Sequence, residues 1–452
     1  MSLTPLPIVR GSDAARRTIR QQRSLQATKL TPAEASVIRN LFGEALSADE
    51  AVRRIIAEVR AGGDEALRRI SLSIDGYAPE RFLVGEEEFA AARASVDAEV
   101  VAALQVAAER VRRYHERQLA HAATSFNEGA TGQIVRPLRR VGLYAPGTVA
   151  VYPSSVLHTA IPAVVAGVED VCIASPGRAG GDGAAAGEVS PLKLVAAEIA
   201  GVKTVYRVGG AQAIAALAYG TESIPAVDKI FGPGNRFVTL AKRLVFGDAG
   251  IDAIYGPTET VVIADESADA EYCAADLLAQ AEHDELAAPI LITPSEGLAA
   301  AVAGIVPERA AEMERGAIAL AAFRNRGGIW LVEDLAAAIE LANEYAPEHL
   351  ALLVREPERY VERIRNAGGL FVGETSPEAL ADYVAGPSHV MPTGGSARYA
   401  SPLHVGEFLK ITTVLRASEA LLEELAPSAI TIARAEGLTG HARSLEVRRR
   451  DR

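Results

Sequence analysis

The chain has 452 residues, a length that as a prior gives about three domain-sized units and a large core. Hydrophobic residues make up 49% and charged residues 23%, the balance of a globular protein, which excludes the disordered and fibrous classes. With 46 Lys+Arg against 58 Asp+Glu the net charge is -12, so a broad basic surface for nucleic acid is not expected.

Cys172 and Cys273 each stand in an apolar segment, without the spacing of a zinc ribbon or redox motif. They read as reduced core residues and fit a reducing compartment. The start of the chain does not combine a basic region, an apolar stretch and a cleavage site, so a secretory leader is not expected and a cytoplasmic location is. The arginines at 10, 16, 17, 20 and 23 read as a solvated helix face. The uncharged run 141–168 is long enough to cross a bilayer, but Pro146, Pro153, Pro162 and several hydroxyls make it strand, loop and helix inside a soluble core. No membrane partner is expected.

Residues 13–118 read as mostly helical, through amphipathic stretches such as AVRRIIAEVRAGGDEALRRI. From about Arg140 short apolar runs alternate with Ala-rich helices: VGLYAP, DVCIASP, a helix at 191–200, TVYRVGG, a helix at 211–219, DKIFGP and a helix at 235–245. That is the rhythm of parallel strands joined by crossover helices. The Gly/Ala-rich segment 177–190 reads as a mobile surface loop. A second series runs through TVVIADE, a helix at 268–282, PILIT, IWLVED, HLALLV and GLFVG, and residues 416–448 are helical again. Two α/β units are the simplest account.

Two glycine turns follow strands, at Gly209-Gly210 and at GPGN (232–235). Each places backbone N–H groups at a helix N-terminus, where an anion can sit, and strand C-terminal ends are where ligands gather in open α/β sheets. Neither is a full dinucleotide fingerprint, and a plain βα turn explains each equally well.

The histidines carry more. His115 and His121, on or after a charged helix, read as solvated; His158 and His404, in apolar surroundings, read as buried. In LLAQAEHDE, Gln280 and His283 are three apart and on a helix would share a face. In NEYAPEHLAL, Glu348 and His349 pair a carboxylate with an imidazole suited to acid–base work. Asp382 and His389 flank a Gly-Pro turn, and Glu436 and His441 again set a carboxylate beside an imidazole. A mixed set of His, His, Asp and one amide oxygen suits Zn2+ in an open site.

These motifs, with VGLYAPG, YPSSVLHTAIPAVVAGV, VGGAQAIAALAYGT, GPGNRFV, DYVAGPSHVMPTGGSARY and EGLTGHARSLEVR, resemble the histidinol dehydrogenase family from about residue 20 to 448. The resemblance implies an α/β fold of two incomplete Rossmann-like parallel-sheet domains with helical N-terminal and C-terminal extensions. Its scheme is an N-terminal segment at 1–35, a first α/β domain of 36–143 with 258–403, a cofactor-binding domain at 144–257, and a tail at 404–452. It implies zinc- and NAD-dependent oxidation of the amino alcohol L-histidinol to L-histidine through the aldehyde.

On this resemblance Gln280, His283, Asp382 and His441 are zinc ligands and Glu348 and His349 the acid–base pair. Thr258, His389 and Glu436 join Gln280, His283, His349, Asp382 and His441 in contacting substrate, and Tyr144, Gln212 and Asn235 contact the cofactor. An intertwined homodimer, with Glu436 and His441 acting in the partner's site, is also implied. The chain departs from the family pattern at Gly147-Thr148, at Tyr255-Gly256-Pro257-Thr258, at His158, where an apolar residue is common, and after His283, where a usual Gln is missing. A family member acting on another small polar alcohol is therefore the alternative, and an inactive metal-binding scaffold the alternative of a different class.

Overall fold

The alternation of apolar runs with Ala-rich helices builds two parallel sheets. The computed structural model describes residues 5–22, 30–147, 151–178 and 187–449. The chain divides into two compact units, 1–120 with 138–408, and 121–137 with 409–452. In chain order the strands are β1 (Ile8–Arg10), β2 (Phe126–Glu128), β3 (Thr131–Pro137), β4 (Arg140–Tyr144), β5 (Asp170–Ser175), β6 (Thr204–Arg207) and β7 (Lys229–Phe231). There follow β8 (Gly250–Ile251), β9 (Glu259–Ala264), β10 (Ala288–Thr293), β11 (Gly328–Leu331), β12 (His349–Leu353), β13 (Gly369–Val372) and β14 (Leu409–Leu415).

The first unit holds a six-stranded sheet in the order β1-β11-β10-β9-β12-β13 and a five-stranded sheet in the order β6-β5-β4-β7-β8, parallel throughout. Every residue of β9, β10 and β12 is buried, as expected of strands covered on both faces. Val261, Ile263, Leu350 and Leu352 enter one core and Val262, Ala264, Ala351 and Leu353 the other, the period-two alternation of a strand. Each fully buried Val, Leu or Ile among them contributes roughly 1.5–3 kcal/mol.

The helices follow the same logic. Asp269 caps the helix Ala270–Ala281 by accepting from Glu271 N, and Asp334 caps Leu335–Tyr345 by accepting from Ala337 N. The helix Ala48–Asp75 sends Val52, Ile55, Val59, Leu67 and Ile70 into one core with Ala213, Ile214 and Leu217 of the helix Gly210–Tyr219. That stretch of 36–143 thus packs with the five-stranded sheet, of which β4 is the central strand, whereas the sequence scheme grouped it with 258–403. Among the described residues no helix is long and apolar enough to cross a membrane.

In the second unit β14 pairs antiparallel with β3, Leu409 opposite Pro137 through Leu415 opposite Thr131, and β2 pairs with the other edge of β3. The helices Glu419–Ala435 and Thr439–Glu446 complete it. The sequence reading foresaw the tail helices but neither this sheet nor β1. The proposed mobile loop and Thr148 lie partly and wholly outside the described residues.

Candidate active site

Glu348 and His349 are placed by a forced change of direction. The helix Leu335–Tyr345 ends at Ala346, which takes the left-handed φ of 48° and costs roughly 1–2 kcal/mol for a residue with a Cβ. Pro347 follows, and β12 begins at His349. Gly369 N donates to Glu348 O at 2.8 Å; a Cβ on Gly368 would lie 2.5 Å from that oxygen, so this close approach needs glycine.

Thr258 stands immediately before β9, the neighbour of β12. Its Oγ1 lies 2.7 Å from Glu348 Oε2 and 3.2 Å from Gln280 Oε1, and its single proton serves one acceptor at a time. Glu348 Oε2 also accepts from Glu259 N at 3.1 Å. Gln280, buried at the end of the helix Ala270–Ala281, donates from Nε2 to Asp382 Oδ2 at 3.0 Å. Asp382 belongs to the short helix Glu378–Tyr383, and its carbonyl accepts from His389 Nδ1 at 2.7 Å. The cluster therefore gathers at the N-terminal ends of β9 and β12, the opposite end of a parallel strand from the usual ligand site.

His349 lies between the carboxylates. Nδ1 is 3.7 Å from Glu348 Oε2 and 3.3 Å from Glu259 O; Nε2 is 3.6 Å from Asp382 Oδ1, too far for a hydrogen bond. Nε2 is thus buried without a partner, at a cost of about 1–3 kcal/mol that a bound group can recover. Burial opposes the charged ring, but Glu348 and Asp382 outweigh it and raise the His349 pKa. Burial pushes Glu348 up. For Asp382 burial works in the same direction, yet contact with His349 and Gln280 holds it down at about 2. Glu378, buried and accepting from the Thr260 hydroxyl, is pushed by burial up to about 8.

His283 does not continue the helix of Gln280. That helix ends at Ala281, and His283 follows in a turn, its N–H donating to Gln280 O at 3.3 Å. The turn keeps the pair close by a route other than a shared helix face. Burial lowers the His283 pKa, and its ring senses Asp382, His349 and His389; the Tyr152 ring stacks near it at 6.4 Å. Gln280 and Asp382 are thus bonded to each other, and the exposed His283, whose ring favours its neutral form, is near enough to feel the Asp382 charge. Amide oxygen, imidazole and carboxylate are donor types that the borderline Zn2+ accepts, while among the described residues no group of three or more His, Cys, Asp or Glu is placed to hold a metal. Glu436 and His441 belong to the second unit, where both are exposed.

The other three candidates surround the C-terminal ends of β4, β6 and β7. Tyr144 is buried with its hydroxyl accepting from Gly210 N at 3.1 Å. Gln212 is fully buried, donating to Asp75 Oδ2 at 3.1 Å while its Oε1 has no partner. Asn235 caps the helix Arg236–Val245, its Oδ1 accepting from Phe237 N and Val238 N at 3.1 Å. The unpaired Gln212 carbonyl is a buried acceptor suited to an amide donor such as that of a nicotinamide.

Two of the remaining histidines depart from expectation. His115 is fully buried, not solvated, with Nδ1 2.7 Å from Val111 O; its helix turns that ring onto the rest of the unit. His404 is half-exposed, with Nε2 3.6 Å from Glu407 Oε1, not buried. His158 is buried as expected, and packs against His389, a contact no sequence spacing signals.

Two parallel sheets and a polar cluster that joins carboxylates, an amide and imidazoles are the framework of the site, and the comparisons give its class, an oxidoreductase of the dehydrogenase kind. A family model of histidinol dehydrogenase matches residues 43–449. A histidinol dehydrogenase of Deinococcus radiodurans is 49% identical over 429 residues, covering 94% of this chain and 96% of that protein. One of Cereibacter sphaeroides is 49% identical over 404 residues, 88% and 92% of the two chains. The crystal structure of histidinol dehydrogenase from Elizabethkingia anophelis superposes with a TM-score of 0.86 at 30% identity, covering 98% of each chain. The chain belongs to the histidinol dehydrogenase family.

Proposed function

We propose that the protein oxidises L-histidinol to L-histidine through L-histidinal, in histidine biosynthesis in the cytoplasm, with NAD as oxidant and Zn2+ in the site. The observation that carries this reading is His349 set between two carboxylates, with Nδ1 3.7 Å from Glu348 Oε2 and the partnerless Nε2 3.6 Å from Asp382 Oδ1.

In the first step the unprotonated form of His349, which its raised pKa makes more abundant at alkaline pH, accepts the alcohol proton while a hydride leaves the carbinol carbon for the nicotinamide, giving aldehyde and NADH. In the second, Glu348 takes a proton from water as its oxygen adds to the aldehyde carbon. The resulting hydrate anion loses a second hydride to a second NAD and becomes the carboxylic acid, which gives up its proton to leave the carboxylate. Burial raises Glu348 toward the pH range where a carboxylate works as a base. The Thr258 hydroxyl orients that carboxylate. Gln280, His283, Asp382 and His441 would hold Zn2+, which supplies when bound a Lewis-acid centre that orients the substrate. Tyr144, Gln212 and Asn235 of the 144–257 segment are the proposed cofactor contacts. His389 and Glu436 complete the substrate site, the latter with His441 from the partner of a homodimer.

A second reading, another small polar alcohol as substrate, is favoured by Tyr255 and Thr258; the Tyr255 hydroxyl is bonded to Asp252 Oδ2 at 2.9 Å. The test is NADH formed per histidine by zinc-loaded protein with L-histidinol and excess NAD. Two per product, lost on chelation, supports the first reading; no turnover from folded, zinc-loaded protein overturns it.

A further inference from the structure

His389 is gripped by a helix distant from it in sequence. Its Nδ1 faces the Asp382 carbonyl at 2.7 Å; a carbonyl only accepts, so Nδ1 carries a proton. Its Nε2 is 3.1 Å from Ser155 Oγ. Its backbone N–H donates to His158 Nδ1 at 3.3 Å, and the two imidazoles stack with centroids 4.3 Å apart and planes 6° from parallel. A backbone N–H only donates, so His158 Nδ1 is bare and the proton of that ring sits on Nε2, toward Tyr383 O at 3.5 Å. Ser388 Oγ donates to His158 O at 3.0 Å. Ser155 and His158 are three residues apart on the helix Pro153–Val165, both buried, and so share a face.

We propose that Ser155 and His158 are positioning residues that present His389 Nε2 as a hydrogen-bond acceptor, so that this corner of the site selects an N–H or O–H donor on the substrate and rejects an anionic group. The inference rests on His389 contacting substrate, as in the function proposed above. In the free protein the Ser155 hydroxyl fills the acceptor position, and an incoming donor replaces it; the freed hydroxyl then turns to another acceptor. His158 sets the height and plane of the ring by stacking and by taking the neighbouring backbone N–H, two contacts an apolar residue cannot both supply.

The test reads the ring nitrogens of His389 by NMR in isotope-labelled protein, for the wild type and for S155A, S155T and H158L, with steady-state kinetics alongside. The expected wild-type ring has its proton on Nδ1 and a bare Nε2. S155A moves the Nε2 resonance and, because the substrate's donor no longer has to displace the hydroxyl, lowers KM for the amino alcohol about three- to tenfold, the worth of one hydrogen bond, with kcat within about twofold; S155T restores both. H158L moves the His389 backbone N–H resonance. A protonated Nε2 in the wild type, or an Nε2 resonance indifferent to S155A, overturns the proposal whatever the substrate proves to be. The expected ring state in every protein with no turnover of the amino alcohol supports the positioning and sinks the substrate reading instead.

Discussion

The Thr258 hydroxyl lies 2.7 Å from Glu348 Oε2, joining the residue before β9 to the residue before β12. Glu348 is buried, and among the described residues Thr258 is the one side chain that donates a hydrogen bond to that oxygen, which also accepts from Glu259 N and has the His349 ring 3.7 Å away. T258V keeps the volume and removes the bond; a hydrogen bond to a charged group is worth about 1.5–3 kcal/mol, so kcat/KM for L-histidinol falls roughly ten- to hundredfold. T258S keeps the hydroxyl and stays within about threefold. Equal rates for wild type and T258V would show that the bond does not orient the base.

Glu348 and His349 are adjacent in sequence but have different proposed tasks, and product analysis separates them. In E348Q the amide cannot take a proton from water, so oxidation stops after one hydride and L-histidinal accumulates with one NADH. H349N removes the acceptor of the alcohol proton and slows the first NADH itself, by roughly 100- to 10,000-fold for a general base. Quenched-flow measurement of NADH and aldehyde in a single turnover distinguishes the two. Normal conversion of aldehyde to histidine by E348Q would remove Glu348 from the hydration step.

Lys193 offers a test of the fold rather than the site. Its side chain is 3% exposed, with Nζ 2.8 Å from Ser175 Oγ and 3.3 Å from Ala145 O, both neutral acceptors, and burial pulls its pKa down to about 7. An unfolded lysine titrates near 10.4. Between about pH 7 and 10 the unfolded chain therefore holds a proton that the folded chain has lost, and this group's contribution to stability rises with pH. Below about 7 both states are protonated and the full cost of a buried cation is borne. K193M should be more stable at pH 7 by about 1–3 kcal/mol and should lose that part of the pH slope. Urea unfolding at pH 7 and pH 9 measures both; a less stable K193M, or an unchanged slope, would refute the argument.

What the sequence made legible depended on the range of the interaction. Hydrophobic periodicity is local, so the strand at 170–175 and the helix at 191–200 stand where the pattern predicts them. The strand Ile8–Arg10 is three residues long and has meaning only beside β11, and β3 needs β14, which begins more than 270 residues later. The site divides in the same way. Glu348 and His349 announce themselves by adjacency and Gln280 with His283 by spacing, yet the residue types around His283 did not reveal that the helix stops at Ala281. The contact of His158 with His389 joins positions 231 residues apart and leaves no local trace.

Glu436 and His441 permit a final test, because their proposed role is in the partner's site. Glu436 closes the helix Glu419–Ala435 and His441 lies in the helix Thr439–Glu446, an eight-residue segment braced to the first by Arg434 with Glu446 and by Arg449 with Glu423. E348Q disables the site to which its own subunit supplies the base. H441A disables the site to which its tail is lent. In a mixed dimer of the two variants, one site carries both lesions and the other carries neither. Random reassortment of equal amounts makes half the dimers mixed, so exchange of tails predicts recovery of about a quarter of wild-type histidine formation from two parents that make no histidine. If each tail instead serves its own subunit, both sites of the mixed dimer are damaged and activity stays at the parental level. Co-refolding the two variants, confirming mixed dimers by native mass spectrometry and assaying histidine formation decides between these outcomes.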